Sequence, residues 1–295
     1  MEKVYSNFVK WAGGKGQLLN ELQTRFPVGL GSSINKYAEP FVGGGALLFH
    51  VLNNYNFKQV YISDINKELI QTYIQIRDDV NSLIDRLLVI QDEYLSLTED
   101  QKKNYYYKKR EKYNILKGEN KLGLESSALF IFLNRTCFNG LYRVNSKGEF
   151  NVPMGRYTNP KICDETTLKA DSQALQNAQI VCGDYQCSEL FIDEHTFTYF
   201  DPPYRPLNNT SSFTSYYEDR FNDEDQKELA LFIKKLSGKG AKILLSNSDP
   251  KNTNIEDNFF DDIYSGFKIE RVLATRNINS KGTKRGKITE LIVSN

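Results

Sequence analysis

The stretch KYAEPFVGGGALLFHVLNNYNFKQVYISD, residues 36–64, decides the fold. An apolar run at KYAEPF is followed by a helical pattern at GGALLFHVLNN and by a second apolar run at KQVYISD. A strand, a helix and a strand in this order are typical of a βαβ unit with parallel strands. Parallel sheets of this kind bind ligands at the carboxyl ends of their strands. We therefore expect a site where these strands end.

The strand pattern stops after Asn66 and returns near residue 178. Apolar residues at three- and four-residue intervals predict helices in between. Further strands are predicted at AQIVCGD (178–184), HTFTYFD (195–201), AKILLSN (241–247), FKIERVLATR (267–276) and KITELIVSN (287–295). The sequence predicts an α/β fold with a Rossmann-like sheet formed by residues 1–66 and 166–295. Residues 67–165 are interpreted as an inserted, mostly helical domain, with a hairpin or ordered loop at 141–157.

Composition excludes several classes of protein. The chain has 295 residues, four cysteines without C-x-x-C spacing and only two histidines, so neither zinc nor a disulfide framework is expected. No apolar stretch is long enough to span a membrane and no signal peptide is visible, so a cytoplasmic protein without a membrane partner is expected. We also expect a monomer.

The net charge is only +1, but positive charge is clustered. Residues 101–121 contain eight Lys or Arg and two Glu, a local charge of +6, and residues 271–287 contain six Lys or Arg and no acid, again +6. One such run alone is usually a solvated surface. Two runs beside a catalytic motif favour contact with the phosphates of a nucleic acid.

The strongest chemical signal is Asp201-Pro202-Pro203-Tyr204, directly after the apolar run that ends at Phe200. The carboxylate of Asp201 and the carbonyl of Pro202 can accept the two hydrogens of an amine attached to an aromatic ring. The nitrogen lone pair would then point at an electrophilic methyl group. Tyr204 offers a face on which a base removed from its duplex can stack. A strand-ending turn without chemistry is the alternative interpretation.

A glycine-rich turn, Glu39-Pro40-Phe41-Val42-Gly43-Gly44-Gly45, follows the first predicted strand. By itself it fits several ligands, but the fingerprints of dinucleotide and nucleoside-triphosphate sites are absent. Asp64 ends the next strand, where an acid can bind both hydroxyls of a ribose, and S-adenosylmethionine has such a ribose. The alternative for Asp64 is the N-cap of the helix that follows. Methylation of cytosine C5 is disfavoured because no cysteine follows a proline.

These motifs, together with Lys10-Trp11-Ala12-Gly13-Gly14-Lys15, resemble the Dam-type DNA adenine methyltransferases over nearly the whole chain. The resemblance implies adenine-N6 methylation by a Rossmann-like catalytic domain, 1–66 and 166–295. It implies S-adenosylmethionine as cofactor, double-stranded DNA as partner and no metal. It also implies cofactor contacts from Trp11, Lys15, Phe41, Gly43, Asp64, Asp184, Tyr185 and Asp201, beside the catalytic Asp201, Pro202 and Tyr204. Taken without the resemblance, Lys15 would be a surface lysine, Trp11 a core residue and Asp184 a turn residue.

The insert, 67–165, carries sequences that resemble the family's target-recognition hairpin, Asn139-Gly140-Leu141-Tyr142-Arg143-Val144-Asn145 and Phe150-Asn151-Val152-Pro153-Met154-Gly155-Arg156-Tyr157. By this match Arg143 reads a guanine, whose O6 and N7 suit an arginine fork. Leu141 and Pro153 touch a thymine methyl, and Phe138 and Asn139 support the strand left by a flipped adenine. Arg156 belongs to the same surface or forms a buried ion pair. The implied site is GATC.

Three alternatives stay open at this point. The same amine chemistry serves enzymes that methylate adenine in RNA or a side-chain amide in protein, and a catalytically dead relative could still bind DNA. The basic insert favours nucleic acid, and the hairpin match favours duplex DNA over RNA. The segment RPLNNTSSFTSYYEDRF, residues 205–221, is either a loop that closes over the target base or an ordinary exposed loop.

Overall fold

The computed structural model describes residues 4–11, 13–205, 221–275 and 287–295. Its seven strands form one sheet in the order β3-β2-β1-β4-β5-β7-β6. In chain order the strands are β1 (Lys36–Glu39), β2 (Gln59–Asp64), β3 (Ala178–Cys182), β4 (Thr196–Phe200), β5 (Lys242–Ser248), β6 (Lys268–Thr275) and β7 (Lys287–Ser294). Each lies where the sequence predicted it.

The sheet is mostly parallel. Strand β1 pairs in parallel with β2 and β4, and β4 pairs in parallel with β5. Strand β7 runs antiparallel to both β5 and β6. This mixed sheet with its helices confirms the predicted Rossmann-like α/β class.

Helices fill most of the intervals between strands. In the described part of the chain they are α1 (Leu19–Gln23), α2 (Ala46–Asn54), α3 (Lys67–Asp78), α4 (Val80–Leu95), α5 (Glu99–Gly118), α6 (Leu124–Thr136), α7 (Glu165–Leu175), α8 (Asp223–Gly238) and α9 (Phe259–Ile263). Helix α3 begins after Asn66, whose side chain accepts a hydrogen bond from the Leu69 amide. The N-cap proposed above for Asp64 is therefore filled by Asn66.

The chain divides into two compact units. The first unit comprises Met1–Gly14, Val42–Asn54 and Ser63–Gly183, and the second comprises Lys15–Phe41, Tyr55–Ile62 and Asp184–Asn295. The boundaries 67 and 165 that the sequence suggested for an inserted domain stay a prediction.

Helix α6 forms the centre of the first unit. Its sequence LESSALFIFLNRT is apolar on most sides, and almost all of its residues are buried against α3, α4 and α5. A helix that is apolar all round is stable only when neighbours cover it on every side. The strongest apolar run of the predicted insert thus became the core helix of this unit.

The chain folds back on itself after α6. Isolated antiparallel bridges join Cys137 to Met154 and Val144 to Phe150, and the Phe138 amide donates to the Pro153 carbonyl over 2.9 Å. We call residues 137–157 the recognition loop. It has hairpin pairing without a continuous strand, as the prediction of a hairpin or ordered loop allowed.

Candidate active site

Asp201 lies at the carboxyl end of the central strand β4. All five residues of β4 are buried between β1 and β5, so the chain leaves the sheet at a fixed position. Ser246 of β5 donates from Oγ to Asp201 Oδ1 over 3.2 Å, and this hydroxyl also lies 2.7 Å from the Tyr199 hydroxyl. The sheet therefore fixes the direction of the Asp201 carboxylate.

Lys15 is the cationic partner of Asp201. Its Nζ lies 2.6 Å from Asp201 Oδ1, and its side chain is only 5% exposed. Burial alone would lower the pKa of Lys15, but Asp201, Tyr204 and Glu290 together outweigh burial and raise it above the ordinary value. Burial also raises the pKa of Asp201, an effect that Lys15 and Ser246 oppose. Lys15 is thus a charged, buried site residue rather than a surface lysine.

The Tyr204 ring lies beside the same ammonium group. Lys15 Nζ is 4.7 Å from the centroid of the ring, a cation–π distance. The Tyr204 hydroxyl donates to Glu290 Oε2 of β7 over 2.8 Å. Burial raises the pKa of Tyr204, so the hydroxyl stays protonated and donates. Glu290 thereby fixes the ring orientation.

The carbonyl of Pro203 is held by a buried amide network. Gln226 of α8, which is fully buried, donates from Nε2 to the Pro203 carbonyl over 3.0 Å and accepts from Asn247 of β5 over 3.3 Å. Within residues 4–11, 13–205, 221–275 and 287–295, no group donates a hydrogen bond to the Pro202 carbonyl or to Asp201 Oδ2. These are two acceptors for an incoming amine.

Arg205 fastens the chain directly after the motif. Its guanidinium forms two hydrogen bonds with Asp223, 2.6 and 2.9 Å long, and a third of 2.7 Å with Asp257. It also lies 4.2 Å from the centroid of the Phe259 ring. The segment suggested to close over a target base continues at 206–220, which lies outside the described residues.

In the first unit, the glycine turn and Asp64 are joined directly. Asp64 accepts from the Gly43 amide at 3.1 Å and from the Asn66 amide at 2.9 Å. Burial raises the pKa of Asp64, and these backbone amides oppose the rise. Gly43 has φ +48°, and a Cβ there would lie 2.9 Å from two atoms of the Trp11 ring. Only glycine fits between the turn and Trp11.

Trp11 packs within the first unit against aromatic neighbours. Its ring stacks on Tyr142 at 5.7 Å and lies 6.4 Å from Phe130. Trp11 is half-buried, so part of the ring stays accessible.

In the second unit, Phe41 stacks on Tyr185 with ring centroids 5.7 Å apart. Tyr185 is buried and also contacts Phe232 edge-on. Asp184 accepts from the Gln186 amide over 3.0 Å and so caps a short 3-10 turn. The turn interpretation of Asp184 is therefore correct, whatever further role the side chain has.

Most candidate DNA-reading side chains of the recognition loop are exposed. Phe138 is 51% exposed, a large value for an aromatic residue, and Asn139 is exposed with a left-handed φ of 55°. Arg143 is exposed and donates from Nε to Asn151 Oδ1 over 2.7 Å. Pro153 and Arg156 are exposed and Leu141 is half-buried. The alternative of a buried ion pair for Arg156 was wrong.

Helix α5 holds the recognition loop through polar side chains. Asn114 binds both the amide and the carbonyl of Phe150, at 2.8 and 3.1 Å. The Tyr106 hydroxyl and the Arg110 guanidinium both donate to the Val152 carbonyl. These contacts explain how an irregular loop keeps one conformation.

The basic run 101–121 on α5 is largely neutralised. Acidic partners pair with Lys102, Lys109, Lys112, Lys117 and Lys121. Lys103 and Lys108 are exposed, and no acidic side chain in the described part of the chain pairs with them. In the second run, Arg271 pairs with Asp249 and Asp261, and residues 276–286 lie outside the described residues. The charge of these runs is therefore weaker support for phosphate contact than the sequence indicated.

Comparison with known families identifies the chain. A family model described as D12 class N6 adenine-specific DNA methyltransferase matches residues 11–278. The chain belongs to this family.

Full-length relatives agree with the family match. A Type II methyltransferase, M.MjaIII, of Methanocaldococcus jannaschii is 52% identical over 98% of both chains. Proteins named DNA adenine methylase from Haemophilus influenzae and Escherichia coli K12 are 37% and 34% identical, each over 97% of this chain and 92% and 93% of their own length.

The protein is thus an N6-adenine DNA methyltransferase, as the sequence predicted. The family description names DNA, and not RNA or a protein amide, as the molecule that is methylated. In the described part of the methyltransferase, no group of His, Cys, Asp and Glu is arranged to hold a metal, and no helix could cross a membrane. All four cysteines are free thiols.

Three residues of the methyltransferase site were missed by sequence reasoning. Ser246 holds Asp201, Glu290 holds Tyr204 and Gln226 holds Pro203. Two lie in apolar strands and one in a helix, and no motif marks them. The pairing of Lys15 with Asp201 was likewise not expected.

Proposed function

We propose that this methyltransferase transfers a methyl group from S-adenosylmethionine to the N6 amine of an adenine flipped out of duplex DNA, within GATC. The observation that carries the proposal is the position of the half-buried Asp201 carboxylate at the end of β4. Lys15 Nζ contacts both this carboxylate and the face of the Tyr204 ring.

Amine activation rests on two hydrogen-bond acceptors. Asp201 Oδ2 and the Pro202 carbonyl accept the two N6 hydrogens, which draws the nitrogen toward tetrahedral geometry. The nitrogen lone pair, otherwise delocalised into the adenine ring, becomes available for transfer. The bound Gln226 amide keeps the following carbonyl, that of Pro203, from moving.

Tyr204 provides the surface for the extrahelical base. Stacking on an aromatic side chain contributes about 1–3 kcal/mol per base and offsets part of the cost of flipping. The hydrogen bond from Tyr204 to Glu290 keeps the ring from rotating away, so less rotamer entropy is lost when the base arrives.

The candidate cofactor residues fit S-adenosylmethionine chemically. In the first unit, Asp64 is a carboxylate suited to ribose hydroxyls. Gly43 belongs to the turn of three glycines, and Trp11 packs against it. In the second unit, the stacked rings of Phe41 and Tyr185 suit an adenine ring, and Lys15, Asp184 and Asp201 supply charge. S-Adenosylmethionine, when bound, would supply a sulfonium methyl group for the amine, with S-adenosylhomocysteine as the leaving group and one N6 hydrogen lost as a proton. Lys15 additionally favours the ionised form of Asp201.

Sequence reading is proposed for the recognition loop. Arg143 reads a guanine through its O6 and N7, and its hydrogen bond to Asn151 pre-orients the guanidinium. Leu141 and Pro153 contact a thymine methyl, while the exposed Phe138 enters the base stack beside Asn139. Arg156, also exposed, contacts the phosphate backbone.

The proposal is tested on DNA from cells that express the enzyme. The DNA is digested with pairs of nucleases that cut GATC but differ in their sensitivity to adenine methylation. Protection against only the sensitive nuclease is expected, and Asp201→Ala should abolish it. Protection at another sequence would overturn GATC, and a methyl group found on any other base or atom would overturn the amine chemistry. Binding of S-adenosylmethionine by the purified enzyme tests the donor separately.

A further inference from the structure

Three asparagine side chains of the first unit grip the backbone in the same way. Each accepts a hydrogen bond from the amide of one residue and donates to the carbonyl of that same residue. Asn53 grips Tyr5, Asn114 grips Phe150 and Asn134 grips Lys10, with distances between 2.8 and 3.1 Å. The first holds only the N-terminal segment and the second holds only the recognition loop.

Asn134 differs because it holds both segments. Its Nδ2 donates to the Lys10 carbonyl over 2.8 Å and, with its second hydrogen, to the Gly140 carbonyl over 3.0 Å. Its Oδ1 accepts from the Lys10 amide over 2.8 Å. The side chain is 3% exposed, so both donors and one acceptor of this amide are used without water. No other side-chain type of this size makes these three bonds.

Lys10 and Gly140 also pack directly against each other. Gly140 has φ +64°, and a Cβ at this position would lie 2.6 Å from Lys10 Cβ and 2.5 Å from Lys10 Cδ. Lys10 Nζ lies 4.4 Å from the centroid of the Tyr157 ring and donates to the Tyr157 hydroxyl over 3.2 Å. Lys10 therefore contacts the recognition loop near both of its ends.

Trp11, the next residue, connects this contact to the glycine turn. One part of its ring lies against Gly43, and the ring stacks on Tyr142, which stands between Leu141 and Arg143. The proposed cofactor contacts Trp11 and Gly43 and the proposed base-reading residues thus belong to one closely packed block within the first unit. Closely packed interiors transmit displacements because few voids absorb them.

We propose that Asn134 is a positioning residue that couples recognition of the target sequence to binding of the cofactor. A cognate site that orders the recognition loop also orders Lys10 and Trp11 through the Asn134 amide, and bound cofactor orders the loop in return. The coupling is reciprocal because both ligands bias the same block. This inference rests on the proposed roles of the recognition loop and of Trp11.

Trp11 provides the readout because it is the single tryptophan of the chain. The dissociation constant of S-adenosylhomocysteine, which cannot donate a methyl group, is measured by Trp11 fluorescence. The measurement is made on the enzyme without DNA and on the enzyme with either of two duplexes. One duplex carries the recognition site identified by digestion, and in the other the guanine of that site is changed. The cognate duplex should tighten binding of S-adenosylhomocysteine to the wild-type enzyme at least fivefold more than the altered duplex does.

The variants separate coupling from general stability. The coupling ratio is the dissociation constant of S-adenosylhomocysteine with the altered duplex divided by that with the cognate duplex. Asn134→Ala should reduce this ratio to below about twofold. The same variant should leave the affinity for S-adenosylhomocysteine without DNA within about threefold of wild type. Asn114→Leu should weaken DNA binding but keep the ratio, and Asn53→Leu should keep both. A variant that is merely destabilised would lose affinity for both ligands without a change in their ratio. Gly140→Ala disturbs the same contact from the loop side and should also lower the ratio.

A wild-type ratio of one, with methylation intact, would overturn the coupling and leave the proposed function standing. A ratio equal to that of the wild type in Asn134→Ala would also overturn the coupling. If Asn134→Ala does not fold, Gly140→Ala takes its place in this test. Failure of the wild-type enzyme to bind S-adenosylhomocysteine at all would instead overturn the proposed function.

Discussion

Lys15 Nζ lies 2.6 Å from Asp201 Oδ1, and the Lys15 side chain is almost completely shielded from water while a fifth of Asp201 is exposed. Burial disfavours both charges, whereas their proximity favours both. The pKa of Lys15 is raised above its ordinary value, so the lysine is charged at neutral pH and favours the charged form of Asp201. One carboxylate oxygen is thus neutralised by the lysine, which leaves the other for substrate.

Removal of this ammonium should move the pH dependence of methylation. Lys15 opposes the raised pKa of Asp201, so in Lys15→Ala the pKa of Asp201 rises further and the carboxylate loses its charge at higher pH. The acid limb of kcat against pH should shift upward, with at least a tenfold loss of kcat at pH 7. Single-turnover rates between pH 5 and 9 give the profile. Lys36→Ala on β1, which removes another lysine–carboxylate pair, the one with Asp193 at 2.8 Å, should leave the acid limb in place. An unshifted limb in Lys15→Ala would mean that Lys15 does not set the charge of Asp201.

The hydrogen bond between Tyr204 and Glu290 should contribute to rate through ring orientation. Tyr204→Phe keeps the ring and loses the bond, and Glu290→Ala loses the bond from the other side. Each should lower kcat about three- to tenfold, and the double variant should be no worse than the poorer single one, because both sever one interaction. Glu270→Gln on the neighbouring strand β6 is the control and should retain wild-type rates. Multiplicative losses in the double variant would show that the two residues act separately.

Much of the fold could be predicted from the sequence because its strands are short apolar runs that end at polar or turn residues. Every predicted strand was found, and the AKILLSN run became β5 with only its first residue outside the strand. Asp201 was placed at a strand end because the preceding apolar run is unbroken. Local patterns of this kind survive folding best in the central strands β1, β4 and β5, which are buried on both faces.

Contacts between residues of distant elements could not be predicted from the sequence. Glu290 lies in a sequence that is otherwise typical of a buried strand, and its contact with Tyr204 depends on antiparallel pairing of β7 with β5.

The positive charge of the basic run on α5 was overestimated for a related reason. Its acidic partners Glu68, Glu93 and Glu125 lie on other helices, so local charge counts did not include them.

Arg143 should determine specificity at one base pair. Arg143→Ala should lower kcat/KM on cognate DNA about 10- to 100-fold and change it little on DNA altered at the guanine. Lys103→Ala on α5 is the comparison, because an exposed lysine in phosphate contact weakens binding to both DNAs alike and reduces the salt dependence. Equal losses on both DNAs for Arg143→Ala would assign this arginine to the phosphates.

Asp171 on α7 should make the stability of the enzyme fall as pH rises. The side chain is completely buried, Oδ1 accepts from the Ser6 amide over 3.1 Å, and Oδ2 has no hydrogen-bond partner in the described part of the chain. Burial raises the pKa of Asp171 to about 8, against an ordinary value of 3.8. Because the folded pKa lies above the unfolded one, the stabilisation is complete below about pH 4 and is lost progressively until about pH 8.

The variant Asp171→Asn removes this titration without changing the shape of the side chain. Its Tm relative to wild type should therefore rise between pH 5 and pH 8.5, corresponding to a gain of roughly 4 kcal/mol, because each pH unit between 5 and 8 contributes about 1.4 kcal/mol. Asp78→Asn at the end of α3 is the control. The hydrogen bond from Arg77 lowers the pKa of Asp78, so this carboxylate stays ionised and its effect on Tm should be constant across that range. A pH-independent difference for Asp171→Asn would mean that the carboxyl group does not titrate in the folded enzyme.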